Sequence, residues 1–403
     1  MLIINGVKKL NDNYIELPRY KVIFLATCVG VIVASMFYIQ PIENVITVSY
    51  QIKQSQTAVI AMLTQVSYAL GLLLVVPLGD MFNRYRFLQI MEAISICSLL
   101  LASWAPSPVI FALASVLIGL TSVGGQIIIP YVAYLTPLKK QRPILGVMIS
   151  GMLTGILFAR TFSGLIAAAL GWHMVYLIAA ALNFLLLILI HQWVPNDPRE
   201  HGQDISLGQL LASLPKLLKK YRYLRSSAVN GFAMFGLANL FWSTLAFLLM
   251  SRFHYGSAVA GSMGLLGIVA IFAAPFIGRM VNLYSPKQNI VTSIILAIVS
   301  YLIFGAFQHS MAALVIGIIV LDLSTQFSQV TNQAIIQSLS RTENSRNNSI
   351  FMFSYFFGGS IGTLTGIDAW SHFGWAGVTA MAVIFVVVAL SAHFAIGEPE
   401  KLG

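Results

Sequence analysis

The 403-residue chain is 58% hydrophobic and 9% charged, with 23 Lys and Arg against 13 Asp and Glu, which excludes a water-soluble globule of this size because such a surface needs far more charge. Its net charge of +10 does not mark a nucleic-acid protein, since the basic residues fall in short gaps between apolar runs and not in one patch. Both cysteines, Cys28 and Cys97, sit in apolar stretches, so neither a disulfide framework nor a multi-thiolate metal site is available.

A helix needs about 20 apolar residues to cross a bilayer. Runs of that kind fall at 22–46, 57–79, 87–105, 109–134, 144–169, 172–193, 228–250, 258–281, 290–307, 311–336, 348–367 and 374–396. They predict an all-α integral membrane protein of twelve transmembrane helices, six and six. The first run begins near Lys21 with no small-residue cleavage site after it, and reads as a retained helix. Tight turns such as Trp104-Ala105-Pro106-Ser107-Pro108 and Leu170-Gly171-Trp172 suit helix hairpins. If the first span starts inside, twenty of the 23 basic residues are cytoplasmic. Lys53 and Arg252 then fall outside and Arg160 within a span. The positive-inside rule therefore predicts a multi-pass protein of the inner membrane with both termini in the cytoplasm.

The longest gap, 194–227, is expected to link a first half, 1–193, to a second, 228–403. Its amphipathic, basic stretch from Leu207 to Arg225 is expected to lie along the anionic inner leaflet. The halves repeat in outline. Pro77-Leu78-Gly79-Asp80 closes the second span as Pro275-Phe276-Ile277-Gly278 closes the eighth, and Gly171-Trp172 opens the sixth as Gly374-Trp375 opens the twelfth. Gln126 of the fourth span has counterparts in Gln326 and Gln329 of the tenth. Two repeated bundles imply a cleft between them.

Ionisable residues inside hydrocarbon are costly and are functional candidates by default. Glu92, Arg160 and Asp322 qualify as proton-coupling candidates. Glu92 is expected near the cytoplasmic interface, within reach of Arg84 or Arg86. Arg160 suits either an anionic solute group or a fixed counter-charge for Asp322 or Glu92. Asp322 opens a polar run in which 322, 326, 329 and 333 share one helix face, as beside a water-lined path. Two roles are open to it: alternation between charged and neutral forms as the cleft opens and closes, or a permanent pairing with Arg160. Asp80 and Arg84, at the end of the second span, suit a gate or clasp. Gly151, Gly155 and Gly164 suit close helix packing in the fifth span. Tyr38, Gln40, Gln65, Tyr68, Asn239, Trp242 and Asn332, with the glutamines already named, would line a cavity for an amphipathic solute. Pro41 should kink or end the first helix. Six of the seven histidines sit near span ends and His201 in the linker, none paired at metal-ligand spacing, and no phosphate-cradling loop occurs. The expected partners are thus a small-molecule solute, protons and the lipid bilayer, with no nucleic acid, metal or cofactor, in a monomer.

The signature loop Gly79-Asp80 through Asn83-Arg84 and the glycine-rich fifth span resemble the major facilitator superfamily over residues 20–396. Asn83 stands where that family usually has Gly, and Asn282-Leu283 replace the Asp-Arg pair expected after the eighth span. Tyr38-Ile39-Gln40-Pro41, Ile156 to Thr161, Leu321-Asp322, Asn332-Gln333 and Phe357-Gly358-Gly359 are similar to a bacterial efflux branch related to sugar and drug exporters. The fourth span reads Gly119 to Gln126 without the Arg common in drug:proton antiporters. The resemblance implies alternating access by two pseudo-symmetric six-helix bundles and proton-coupled efflux. A nutrient importer or a uniporter is the alternative.

Overall fold

The computed structural model describes residues 18–194, 207–340 and 343–395, and among these the structure is helix joined by short turns. Continuous membrane-length helices run Arg19–Ser49, Gln54–Leu74, Arg84–Ser103, Pro108–Val132, Ile144–Leu170, Trp172–Trp193, Arg222–Phe253, Pro286–Ala306, Met311–Leu339 and Arg346–Phe394. The eighth span is broken into Ser257–Ser262, the 3₁₀ turn Met263–Gly267 and Ile268–Leu283. The last helix is two spans meeting at Gly374, whose backbone (φ 59°, ψ −144°) is non-helical and needs glycine. The total is the expected twelve spans in two six-helix bundles.

Hydrophobic sequence makes the helices, and polar punctuation ends them. Asn83, Ser107, Ser285 and Ser310 each accept a backbone N–H in the first turn of the following helix, supplying the acceptors that helix N-termini lack. The first span is not α-helical throughout. Ser35–Phe37 and Gln40–Ile42 are 3₁₀ turns around Pro41, and the α-helix resumes at Glu43.

The linker helix Leu207–Lys220 does not rest its apolar face on lipid as the sequence suggested. Leu214 and Leu217 are buried in the protein core that also holds Ile336 and Ile350. Its exposed face carries Lys216, Lys219 and Lys220. Lys220 Nζ (2.8 Å) and Tyr221 Oη (2.5 Å) donate to Glu343 Oε2, between the tenth and eleventh spans. These bonds hold the Glu343 carboxyl below its ordinary pKa and push Lys220 up. The apolar face found a better partner in the second half than in headgroups.

Basic side chains gather at one end of the bundle, where spans 1, 3, 7, 9 and 11 begin. Lys53 and Arg252 lie at the other, weakly charged end.

Candidate functional site

Small residues let the two halves meet at the weakly charged end. A Cβ on Gly164 of span 5 would lie 2.4 Å from the Ser257 carbonyl oxygen and 2.8 Å from Gly261 Cα, so backbone touches backbone there. Thr161 Oγ1 donates to the Gly261 carbonyl (3.0 Å) and Ser257 Oγ to that of Gly164 (3.3 Å). Gln40 Nε2 donates to Asn239 Oδ1 (3.0 Å), and Gln65 Nε2 to Thr363 Oγ1 (2.8 Å), again from one half to the other. Ala58, Phe247 and Ile367 close a small apolar plug from spans 2, 7 and 11.

One or two turns nearer the basic end, the same spans part around a cavity of about 130 Å³. Phe37 stands below Gln40, Phe235 below Asn239, Tyr68 below Gln65, and Phe356 below Thr363, each lining the void. Span 10 contributes Asp322, Thr325, Gln326 and Gln329, spaced three or four apart as one helical face.

Arg160 and Asp322 face this cavity from opposite halves, and Trp242 stands between them. The Arg160 guanidinium lies 3.9 Å from the Trp242 ring centroid and 5.5 Å from that of Phe37. The indole N–H donates to Asp322 Oδ1 at 3.2 Å. Arg160 Nε donates to Gln40 Oε1 at 2.9 Å, which links the cation through Gln40 to Asn239. A desolvated cation over an indole face is worth about 2 kcal/mol, a partial return on bringing guanidinium into the membrane. No ion pair within 4.0 Å joins Arg160 to Asp322, so their charges interact across a gap.

The other candidates divide by position. Tyr68 and Gln126 line the cavity, the amide donating to the Tyr68 hydroxyl (3.2 Å). Gln65, Gln40 and Asn239 are buried behind it as ties between the halves. Tyr38 packs on Phe162 (5.5 Å) and its carbonyl accepts from Ser163, facing span 5. Asn332 is turned away, donating to Asn230 Oδ1 (2.8 Å) beside Ser328. Gly151 and Gly155 seat span 5 on span 1, where added Cβ atoms would lie 2.3 Å from Ala26 O and 2.2 Å from Gly30 O. Glu92 is buried and one of its oxygens lacks a partner. Eight residues of helix place it about 12 Å along the axis from Arg84, too far for the pairing with that residue suggested by sequence. Arg84 Nε folds back on the Gly79 carbonyl (3.3 Å), while the Asp80 side chain lies outside the described residues.

Sequence reading missed Tyr355, Phe356 and Phe235, which build the aromatic wall: Phe235 stacks on Tyr355 at 4.0 Å and Tyr68 meets Phe356 at 4.5 Å. It also missed Glu43, fully buried with both carboxylate oxygens unpartnered. Its signal was an acid two residues past Pro41, inside an apolar run.

The Major Facilitator Superfamily model matches residues 23–363 and, in a second match, 263–402. The chain belongs to the major facilitator superfamily. This facilitator is 33% identical over 376 residues to the uncharacterized transporter YgaY of Escherichia coli O157:H7, covering 93% of the chain and 95% of that relative. It is 28% identical to the probable transporter SCO4007 of Streptomyces coelicolor, over 91% of the chain and 85% of the relative. The fold is similar to a bacterial homolog of the lysosomal transporter Spinster, inward-facing and unoccupied, with TM-score 0.74 at 14% identity, covering 94% and 96% of the two chains. It is equally similar to the nucleoside transporter NupG, with TM-score 0.74 at 14% identity, covering 93% and 98%. The chain is a multi-pass membrane transporter of small molecules.

Proposed function

We propose that this facilitator exports a small amphipathic solute in exchange for protons by alternating access. The observation that carries the reading is the cavity holding Arg160 and Asp322, sealed by inter-half contacts toward the weakly charged end. By the positive-inside rule the basic end and both termini are cytoplasmic, in a bacterial inner membrane, so this conformation faces inward. Segments 1–193 and 228–403 rock about the cavity as units, with 194–227 as their tether. The protein works as a monomer, moves its solute unchanged and uses Asp322 as the principal proton carrier, with Glu92 behind it. Asp80 and Arg84 clasp the basic end in the opposite conformation. The resemblance of Tyr38-Ile39-Gln40-Pro41 and Ile156 to Thr161 to an efflux branch favours efflux over the alternative of an importer or uniporter.

The test is proton movement in proteoliposomes on addition of solute, with Asp322→Asn beside wild type. Solute-dependent proton flux lost in the variant supports the reading. Unchanged flux moves the proton site elsewhere, and solute flux without proton movement makes the protein a uniporter.

A further inference from the structure

Resting on that transport reading, we infer that the solute is a zwitterion: a carboxylate and an ammonium group close together on one small, largely apolar molecule, such as a hydrophobic amino acid. The unused bonding capacity of the two cavity charges argues for it. Arg160 carries five N–H donors, and its one hydrogen bond among the described residues is from Nε to Gln40. Both Nη groups are left for an acceptor. Asp322 accepts from Trp242 through Oδ1, while Oδ2 lies beside Gly267, where a Cβ would stand 3.1 Å from it. Glycine keeps that oxygen open.

The two charges would neutralise each other if they touched, and they do not. Trp242 holds them apart, its face occupied by the guanidinium and its edge by the carboxylate. A bridging solute must therefore offer an acceptor to Arg160 and a donor to Asp322, each at about 2.8 Å for a charge-assisted bond. With Asp322 ionised, a lone anion would leave that carboxylate unpaired, and a lone cation would leave Arg160 unpaired, both costly at this depth. A carboxylate and ammonium borne on the same or neighbouring carbons meet both requirements at once.

Size and polarity fix the remainder of the molecule. An apolar cavity of about 150 Å³ takes a benzene ring, so 130 Å³ admits one small ring or branched aliphatic group beside the two charges. The walls away from the charges are Tyr68, Phe235, Met352, Tyr355 and Phe356, which suit an aromatic or branched aliphatic tail. The groups facing Asp322 are Trp242 from span 7, Arg160 from span 5 and Tyr355 from span 11. A proton on Asp322 removes the ammonium's partner, so proton and solute compete for one site, which is the condition for exchange.

The experiment is equilibrium binding to the purified full chain with four probes sharing one ring: phenylalanine, 3-phenylpropionate, which lacks its ammonium, 2-phenylethylamine, which lacks its carboxylate, and the uncharged 3-phenylpropanol. Phenylalanine should bind at least about tenfold more tightly than each of the others, the loss expected for one charge-assisted contact. Asp322→Asn should bring 3-phenylpropionate level with phenylalanine, and Arg160→Gln should do the same for 2-phenylethylamine. These ratios are read within one folded sample and survive a general loss of protein. Equal or tighter binding of any single-charge or neutral probe to wild type overturns the inference, as does unchanged discrimination in both variants. Counterflow of radiolabelled phenylalanine separates the two readings. Discriminating binding without counterflow sinks transport and keeps the site chemistry, whereas counterflow of 3-phenylpropanol with no preference for phenylalanine does the reverse.

Discussion

Replacing Gly164 by valine will hold the two halves apart at the weakly charged end. The Cβ it introduces would lie 2.4 Å from the Ser257 carbonyl oxygen, whereas ordinary contact begins at 3.4 Å. Spans 5 and 8 must therefore separate by about 1 Å, enough to forfeit a quarter to a half of the attraction between the atoms they bring together. Overpacking of this kind costs about 1–3 kcal/mol, and here it falls only on the closed conformation, because Ser257 belongs to the other half. The ratio of closed to open forms should drop roughly 5- to 150-fold. Nitroxide labels at Leu170→Cys and Tyr255→Cys, both exposed in the native chain, in a Cys28→Ala, Cys97→Ala background, report the distance across that end by pulsed electron resonance. The parent should show mainly the short distance and the Gly164→Val protein a long one. An unchanged distribution in a folded variant would refute the idea that this contact sets the closed state.

Gly155→Leu meets the Gly30 carbonyl within one half, so it should lower thermal stability in detergent, whereas Gly146→Leu, with nothing within 4 Å of its added Cβ, should leave it within about 0.5 kcal/mol; equal melting shifts would contradict the packing. Trp242→Phe keeps a ring beneath Arg160 and loses the bond to Asp322, while Trp242→Leu loses both, so binding of phenylalanine should be weaker in the leucine variant by about threefold or more. Glu343 is held below its ordinary pKa by Lys220 and Tyr221, so docking of the linker helix through this carboxylate is fully present above the ordinary carboxylate range and is lost as pH falls through the depressed value. A nitroxide at Gly208→Cys should accordingly stay immobile from about pH 8 to pH 5 and loosen only in stronger acid, and Glu343→Gln should loosen it throughout; mobility that changes near neutrality would point to a different group.

The spans were legible because membrane helices announce themselves by length and hydropathy, which no tertiary contact has to supply. Asp322, Gln326 and Gln329 were legible for a related reason: polar residues at helical spacing in an apolar run have few places to go. Asn332 follows the same spacing more loosely, and one position of helical rotation, about 100°, sent it to Asn230 and away from the cavity. Phe235, Tyr355 and Phe356 carry no such signal, since an aromatic facing a cavity and one facing lipid look alike in sequence. The linker helix was misread because an amphipathic pattern specifies an apolar face but not its partner, and the core around Ile336 and Ile350 outcompeted the bilayer.

The 3₁₀ turns at Ser35–Phe37, Gln40–Ile42 and Met263–Gly267 interrupt the α-helical ladder at membrane depth. A 3₁₀ turn keeps its backbone bonded, i to i+3, but winds three residues per turn in place of 3.6, so the face a span presents before the break continues on another side after it. Spans 1 and 8 thereby show one stripe to their neighbours at one depth and a different stripe at the next. That offset in phase lets span 1 tie to Asn239 through Gln40 and line the cavity with Phe37, and lets span 8 meet Gly164 through Ser257 and Gly261 while Gly267 lines the void.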